Sequence, residues 1–259
     1  MTVTSPFGQQ LRHWRNVRSL SQLELALRAE VSTRHLSFME TGRSRPTDEM
    51  VLRLAEALSL PLRERNALLR VAGFAPHYRE TQLSAPELAP FRSIVDRMLA
   101  KHEPYPAFAL DRWWDIVAAN HTAQHLFNAL GATSPNAIEV FLGDGPVRQM
   151  LDNWSELAWS TVSRLRSEIS TGGADERLVQ LLQRAEGLVK GVPAPSDASL
   201  SSAVLCTRLR LGDRVLNLTG TVASFSTPRD LTLDELRIEL IFPADAEAER
   251  FFEELARGR

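Results

Sequence analysis

The stretch from Ser21 to Gly42 reads as two short helices joined by a tight turn. Ser21 begins the first helix as an N-cap residue, and Glu24 stands three positions later, as a capping box requires. Ser32 caps the second helix through its side-chain oxygen, and Gly42 ends it because glycine readily adopts the left-handed backbone. Two helices with this spacing are the helix-turn-helix arrangement, whose second helix enters the major groove of DNA.

Apolar spacing predicts which faces of these two helices are buried. Residues three and four apart share one helix face, so the apolar positions should point toward a common core. The inward positions are expected to be Leu23, Ala26 and Leu27 in the first helix, Val31 in the turn, and Leu36 and Met39 in the second helix.

Three further helices are predicted around the first two. One precedes them over residues 7–19, and two follow, from about 48 to 58 and from about 63 to 72. Residues 75–90 then carry three prolines and little periodicity, which predicts a linker between two domains. The first domain is therefore expected to be an all-α bundle of five helices over residues 1–74.

The remainder of the chain, residues 91–259, mixes strand-like and helical segments. Alternating apolar residues and a Gly212-Asp213 turn predict an antiparallel hairpin near its end. Strands are expected over 107–111, 115–118, 203–211, 214–225 and 237–242, and helices over 90–101, 120–130, 147–169, 176–189 and 244–256. Strands at both ends with helices between them predict an α+β sandwich around a curved antiparallel sheet.

Composition limits the kind of protein. The 259 residues are 44% hydrophobic, which is enough for packed cores, and no apolar run is long enough to cross a membrane. The N-terminus lacks the apolar region of a secretory signal, and the lone Cys206 excludes an internal disulfide and a cysteine-rich zinc site. These features predict a cytoplasmic protein.

Charge is distributed unevenly along the chain. Residues 1–80 contain 12 arginines against 8 acidic residues, a formal charge of +4, while the remainder carries −6. A basic first third suits DNA, and an acidic remainder suits a different task.

The helix-turn-helix region resembles the XRE family, the lambda-repressor-like regulators of the Cro/C1 type. The residues that carry the resemblance are Ser21-Gln22, Leu25-Ala26, Ala29, Val31-Ser32, Leu36-Ser37, Met39 to Arg43, and Arg45-Pro46. The resemblance implies a lambda-repressor-like five-helix fold that binds double-stranded DNA as a homodimer. It also implies that Gln22 clamps the phosphate backbone and that Arg15 and Glu40 form a buried pair.

The second helix of the motif is expected to read bases in the major groove. Arg34 can make a bidentate contact to guanine, and Thr33 can contact a base through its hydroxyl or methyl group. Phe38 has two interpretations, a thymine contact or a core position. The predicted DNA-binding residues are Gln22, Ser32, Thr33, Arg34, His35, Ser37, Phe38, Arg43 and Arg45.

The second domain resembles the PAS-like C-terminal domain of MmyB-type regulators. The similar stretches are Tyr105-Pro106-Ala107, Leu110 to Asp115, Val117 to Asn120, Phe225 to Asp230, and Thr232 to Leu236. The resemblance implies a ligand-binding domain that takes a lipophilic, fatty-acid-like small molecule. The ligand-binding candidates are Arg112, Trp113, Asn120, Phe127, Trp154 and Phe225.

Three interpretations of the second domain remain open at this point. It could sense a ligand in an apolar pocket, it could serve only as a dimerisation or protein-partner module through the helix predicted over 147–169, or it could be an enzyme. Enzyme activity has little support, because His121 and His125 have metal-ligand spacing without an HExxH pattern and no P-loop or GxSxG motif is present. We expect a DNA-binding transcription regulator that is not an enzyme, needs no cofactor or metal, and forms a homodimer.

Overall fold

The computed structural model describes residues 5–172, 175–195 and 204–257. The chain divides into two compact units. The first comprises Met1–Glu80, Glu168–Ala174 and Thr227–Asp234, and the second comprises Thr81–Ser167, Asp175–Ser226 and Glu235–Arg259.

The first unit contains the five expected helices. They are α1 (Pro6–Val17), α2 (Gln22–Arg28), α3 (Thr33–Glu40), α4 (Asp48–Ala57) and α5 (Leu62–Ala72). Their shared core contains Leu11, Trp14, Leu25, Leu36 and Leu54, each at most 3% exposed. The fold class expected for the N-terminal domain is therefore confirmed.

Local signals fix the ends of these helices. The capping box on α2 is complete, because the Glu24 N–H donates to Ser21 Oγ over 3.1 Å and the Ser21 N–H donates to Glu24 Oε2 over 2.7 Å. Ser32 caps α3 by accepting the His35 N–H, and Gly42 follows α3 with φ of 76°. Helix α5 is the exception, because it begins after Pro61 without a side-chain cap of its own, and its Leu62 N–H donates to the distant Asp234 Oδ2 over 3.1 Å.

The predicted buried face of α2 was wrong at two positions. Leu23 and Leu27 are 58% and 69% exposed, whereas Leu25 and Ala26 are buried. Four of the seven residues of α2 are apolar and surround the helix, so periodicity does not determine its rotation. Packing against α3 and α4 selects the face that carries Leu25 and Ala26.

The second unit is built on a five-stranded antiparallel sheet. The strands are β1 (Ala107–Leu110), β2 (Ile116–Ala119), β3 (Cys206–Leu211), β4 (Arg214–Ala223) and β5 (Arg237–Pro243), in the spatial order β2-β1-β5-β4-β3. Glu239 of β5 pairs with Phe108 of β1 on one side and with Val222 of β4 on the other. The last strand in sequence is therefore the middle of the sheet, and the expected α+β architecture is confirmed.

Helices cover both faces of this sheet. A short 3-10 helix (Pro86–Leu88) and α6 (Ala89–Lys101) precede β1, and in the described residues α7 (His121–Ala129), α8 (Ala137–Leu142), α9 (Pro146–Met150), α10 (Trp154–Gly172), α11 (Glu176–Leu188) and α13 (Ala246–Arg257) follow it. Helix α12 (Leu231–Glu235) belongs to the first unit except for its last residue. Val95 and Leu99 of α6 pack with Ala109 and Ile238 on one face. A larger core on the other face joins helices α7 to α11 and α13 to β1, β3 and β4.

The single helix predicted over 147–169 is interrupted. Leu151 is extended and forms a β-bridge with Leu209, so α9 ends and α10 begins at Trp154. Asn153 lies in the break, where its Nδ2 donates to the Cys206 carbonyl over 2.7 Å and its Oδ1 accepts the Arg208 N–H over 2.9 Å. An amide side chain that pairs with the backbone of β3 is a long-range contact, which helix periodicity does not reveal.

Two further points concern the predicted elements. Helix α12 was not expected. Ala203, the first residue of the strand predicted over 203–211, lies outside the described residues.

Asn153→Ala should destabilise the second unit by about 1–3 kcal/mol, because it removes two part-buried hydrogen bonds to the backbone of β3, each worth about 0.5–1.5 kcal/mol. Chemical denaturation followed by tryptophan fluorescence would measure the loss. Asn128→Ala, at an exposed position of α7, is the matched control. Equal stability of the two variants would show that the Asn153 contacts do not hold β3.

Candidate DNA-binding surface and ligand cavity

The N-terminal part of α3 lies at the surface of the first unit. Ser32 and Arg34 are exposed, while Thr33, His35 and Ser37 are half-buried. Ser32 uses its side-chain oxygen to cap the helix, which fixes the first turn. The predicted base-reading residues are thus accessible along one edge of α3.

Phe38 brings two of the predicted arginines together. The guanidinium of Arg34 lies 5.3 Å from the centre of the Phe38 ring, and that of Arg43 lies 5.9 Å from it. Phe38 is half-buried and lies outside the core of the first unit, so the core interpretation is wrong. Cation–π contacts of this kind restrict both arginines to the edge of α3.

The loop after α3 carries the other predicted arginine. The backbone N–H groups of Arg43 and Ser44 both donate to the Phe38 carbonyl, which folds the chain back over the end of the helix. Arg43 and Arg45 are both exposed.

Glu40 connects α3 to α1 and α2. It is fully buried, and its carboxylate accepts hydrogen bonds from Arg15 Nε over 2.6 Å and from Gln22 Nε2 over 2.8 Å. Arg12 lies 3.5 Å from the same carboxylate. The buried pair that the resemblance implied is therefore present, and Gln22 is joined to it.

Opposing influences act on the pKa of Glu40. Burial is the largest and raises the pKa, but hydrogen bonds from Arg15 and Gln22 and the charges of Arg15 and Arg12 together hold it below the ordinary value of a glutamate. Ionised Glu40 therefore stabilises the folded unit above about pH 4.3, and this contribution is lost as the pH falls through the lowered folded pKa.

Glu40→Gln should destabilise the first unit by about 3–5 kcal/mol near neutral pH, because the charge of Arg15 is left without its partner. The deficit should shrink as the pH falls below the range where Glu40 ionises. Hydrogen exchange of the α1 and α3 amides in the full chain measures both effects. Glu56→Gln, at an exposed position of α4, should change neither, and equal exchange in the two variants would contradict the structural role of Glu40.

The second unit encloses an apolar cavity of about 380 Å³ on the inner face of its sheet. Alternate residues of the strands form one wall, among them Phe108, Leu110, Thr207, Leu209, Leu218 and Ile241. Helices α7 to α10 and the segments between them form the other wall, with Leu126, Phe127, Phe141, Leu142, Val147 and Leu157. At the rim, Val204 and Val222 are 53% and 49% exposed, so the cavity opens to solvent there.

A small polar group lies on the cavity wall. Arg164 of α10 donates to Glu239 of β5 over 2.9 Å, and Ser160 and Thr161 lie one turn earlier on α10. The Arg164 guanidinium also lies 4.6 Å from the centre of the Trp114 ring. Trp114 has φ of 67°, a left-handed backbone that costs a non-glycine residue about 1–3 kcal/mol.

Only one of the six sequence-predicted ligand residues, Phe127, lines this cavity. Phe225 packs against Phe91 on the opposite face of the sheet. Trp154 donates its ring N–H to the Phe141 carbonyl and lies under the Arg148 guanidinium, 3.7 Å from it. The Trp154 indole therefore packs in the core of the second unit and is not part of the cavity wall.

The other three predicted residues have structural contacts. Asn120 caps α7, accepting the Ala107 and Ala123 N–H groups and donating to the Leu99 and Tyr105 carbonyls. Arg112 forms ion pairs with Asp175 at 3.4 Å and Glu235 at 3.2 Å, and the Trp113 ring N–H donates to Asp175. The cavity wall does not include them.

Sequence reasoning missed Trp114, Arg164 and Glu239 as a group. Glu239 did leave a signal, because it is a charged residue within the apolar strand Arg237-Ile238-Glu239-Leu240-Ile241. Strand alternation places it on the same face as Ile241, with Ile238 and Leu240 on the other. A charged side chain that points inward from a strand is uncommon and marks a candidate site.

Other kinds of site find little support in the described residues. Within the described ranges, no cluster of three or more His, Cys, Asp or Glu side chains could hold a metal ion. No helix there is both long enough and apolar enough to span a membrane.

Comparison with protein families assigns both units. A family model described as a helix-turn-helix domain matches residues 6–68, and one described as the MmyB-like transcription regulator ligand binding domain matches residues 91–255. The second match covers more than half of the chain. The chain belongs to the MmyB-like transcription regulators. Comparison with curated proteins finds no significant match.

These matches agree with the geometry. The helix-turn-helix match contains α1 to α4 and most of α5, including the exposed edge of α3. The match to the MmyB-like ligand-binding domain contains every residue of the cavity wall. The chain is therefore a DNA-binding transcription regulator with a ligand-binding domain.

Proposed function

We propose that this regulator binds operator DNA as a homodimer through α3 and is controlled by a fatty-acid-like molecule in the cavity of its second unit. In this proposal, residues 1–74 bind DNA, residues 75–90 link the domains and residues 91–259 bind the ligand. The protein acts in the cytoplasm, where its DNA is accessible, and it catalyses no reaction.

The cavity is the observation that supports ligand binding by the second unit. Its volume of about 380 Å³ lies in the range of small-molecule pockets, and its wall is mostly apolar with a few polar groups. A long apolar chain with one polar end matches that distribution. A domain that served only for dimerisation would gain nothing from an apolar cavity that is open to solvent.

For DNA binding, the proposal separates residues that read bases from residues that bind phosphates. Arg34, held by Phe38, reads a guanine, and Thr33 contacts the neighbouring base. Ser32, His35, Ser37, Phe38, Arg43 and Arg45 complete the surface, with the two arginines of the loop at phosphates. The Gln22 amide nitrogen has two hydrogens, so it can bind a phosphate while it donates to Glu40.

Ligand control requires a difference between two states of the dimer. A ligand shifts DNA binding only if it binds more tightly to one dimer geometry than to the other. We infer that the two geometries differ in how well the two copies of α3 match operator half-sites about 10 bp apart.

Arg34→Ala should relax base preference at one operator position by about 1–3 kcal/mol, because it removes a bidentate contact to a base. Arg45→Ala should instead weaken binding to all sequences alike and lower the salt dependence by about one charge. Binding of both variants to a panel of single-base operator variants, at several salt concentrations, separates the two roles. Unchanged base preference in Arg34→Ala would refute the base-reading assignment.

Thr207→Phe should weaken ligand binding, because Thr207 lines the cavity and a phenyl ring there would occupy part of it. Native mass spectrometry of the purified full chain, with organic extraction, should find a lipophilic molecule in the unaltered protein and less of it in this variant. Thr221→Phe is the matched control, since Thr221 is an exposed residue of β4 outside the cavity wall. An empty unaltered dimer that no amphiphile stabilises against heat would favour a domain that only dimerises.

A further inference from the structure

Two short segments from the C-terminal part of the chain belong to the first unit. They are residues 168–172, which end α10, and residues 227–234, which contain α12 up to Asp234. Both segments lie inside the match to the MmyB-like ligand-binding domain and outside the match to the helix-turn-helix domain. The first unit is therefore larger than its helix-turn-helix module, and it includes sequence that the family model assigns to ligand binding.

Helix α12 is fixed to the first unit at two points. The Leu231 N–H donates to the Arg79 carbonyl over 2.9 Å, and Asp234 Oδ2 accepts the first N–H of α5 over 3.1 Å. The residue before Arg79 is held in turn, because the buried Asn66 of α5 donates to the Tyr78 carbonyl over 2.7 Å and accepts the Tyr78 N–H over 3.0 Å. Helix α12 thus completes the beginning of α5, which has no side-chain cap next to it in sequence.

The end of α10 meets the turn between α4 and α5. The Thr171 carbonyl accepts from Arg18 Nη2 over 3.2 Å, and Arg18 Nε donates over 3.0 Å to the carbonyl of Leu58, the C-cap residue of α4. Gly172 lies beside Pro61, since a Cβ added to Gly172 would be 4.0 Å from Pro61 Cγ. One arginine therefore joins the ends of α1, α4 and α10.

Both segments meet at residues 58–62, which we call the α4–α5 corner. This corner is connected to the helix that is proposed to read bases. Arg18 is the C-cap residue of α1, and Arg15, one turn earlier, donates to Glu40 at the end of α3 over 2.6 Å. The last turn of α1 therefore contacts the corner on one side and α3 on the other.

The same two segments continue into the cavity wall. Helix α10 carries Thr161 and Arg164 on the wall, and residues 168–172 follow Arg164 by about one to two turns of the same helix. Helix α12 is followed directly by β5, whose Glu239 lines the cavity. Rigid secondary elements of this kind can carry a displacement from one site to another.

We propose that α10 and the segment from α12 into β5 couple the cavity to DNA binding through the α4–α5 corner. This inference rests on the proposed function, since it names the elements by which a ligand in that cavity controls the DNA-binding unit. The ligand must favour one of two positions of these segments, because only a difference in affinity shifts an equilibrium. The coupling must also be reciprocal, so that operator DNA changes the affinity for the ligand by the same factor.

The coupling factor of the full chain measures this control. It is the ratio of the operator dissociation constants with and without saturating decanoate, for a DNA fragment that the unaltered chain selects from a random pool. We expect a factor of at least about five, the lower end of typical allosteric coupling. Calorimetric titration of decanoate, with and without the operator, should return the same factor.

The corner variant Arg18→Gln, Asp234→Ala removes the contacts of both segments with the corner. The coupling factor should fall to at most about two, because the cavity then lacks its connection to α1 and α5. Affinity for decanoate in the absence of DNA should stay unchanged, since neither residue lines the cavity. The matched control is Arg53→Gln, Glu56→Ala at exposed positions of α4, which should preserve the coupling factor.

A second variant tests α10 without changing any residue of the first unit. Arg166→Gly, Ser167→Gly weakens the helix at two exposed positions between the cavity wall and residues 168–172. The coupling factor should fall by at least about threefold, whereas the separate affinities for decanoate and for the operator should not change. Gln180→Gly, Gln183→Gly introduces the same weakness into α11, which lies wholly in the second unit, and should leave the factor unchanged.

The outcomes separate two kinds of failure. If decanoate does not bind, or binds without changing operator affinity, the proposed ligand control fails and the inference fails with it. If the unaltered chain shows coupling and neither variant reduces it, only the inference about α10 and α12 is overturned. Circular dichroism and thermal unfolding establish that the variants are folded. Should the corner variant not fold, the glycine variant of α10 decides, and full coupling in it would overturn the inference.

Discussion

The DNA-binding surface depends on one buried carboxylate. Glu40 ends α3, and it accepts hydrogen bonds from Arg15 of α1 and Gln22 of α2. Three helices are thereby fixed at a single point. Helix α1 also approaches the end of α3 closely, since a Cβ on Gly8 would meet the Glu40 carbonyl oxygen at 2.5 Å. The opposite edge of α3, with Arg34 and Phe38, is left to face solvent.

A second glutamate has a similar arginine partner but a different setting. Glu239 lies on the middle strand of the sheet and is paired with Arg164. Glu40 is fully enclosed by protein donors, so its role is structural. Glu239 instead lines a cavity that opens at Val204 and Val222, so a ligand can reach it. Burial and access, rather than the ion pair itself, distinguish the structural carboxylate from the candidate ligand contact.

Local signals explain why the helix-turn-helix could be predicted from the sequence. The capping box of Ser21 and Glu24, the cap at Ser32 and the left-handed Gly42 each depend on residues within a few positions. The alternation of β3 and β4 and the turn at Gly212 are equally local. The division of the chain at 74 and 90, the DNA-contacting residues and the ligand itself stay predictions.

Long-range packing explains what the sequence did not reveal. The break before α10 depends on the pairing of Asn153 with β3, more than fifty residues away in sequence. Ligand candidates chosen by residue type included Trp154 and Phe225, whose positions depend on which face of the sheet each segment covers. The cavity wall follows from strand register, which brings Phe108 and Val222 to either side of Glu239. No short-range pattern encodes that register.

The separation of apolar wall and polar pair has a consequence for regulation. In the proposed function, burial of a ligand's apolar chain against this wall would contribute about 0.8 kcal/mol per methylene. Arg164 and Glu239 lie where a polar group of such a ligand would meet the wall. Control of DNA binding needs a further difference, because only the excess affinity for one dimer geometry is transmitted, in typical cases about 1–3 kcal/mol. A group at the open side of the cavity is well placed to supply that excess, since residues at a rim are freer to change position than those of a packed wall.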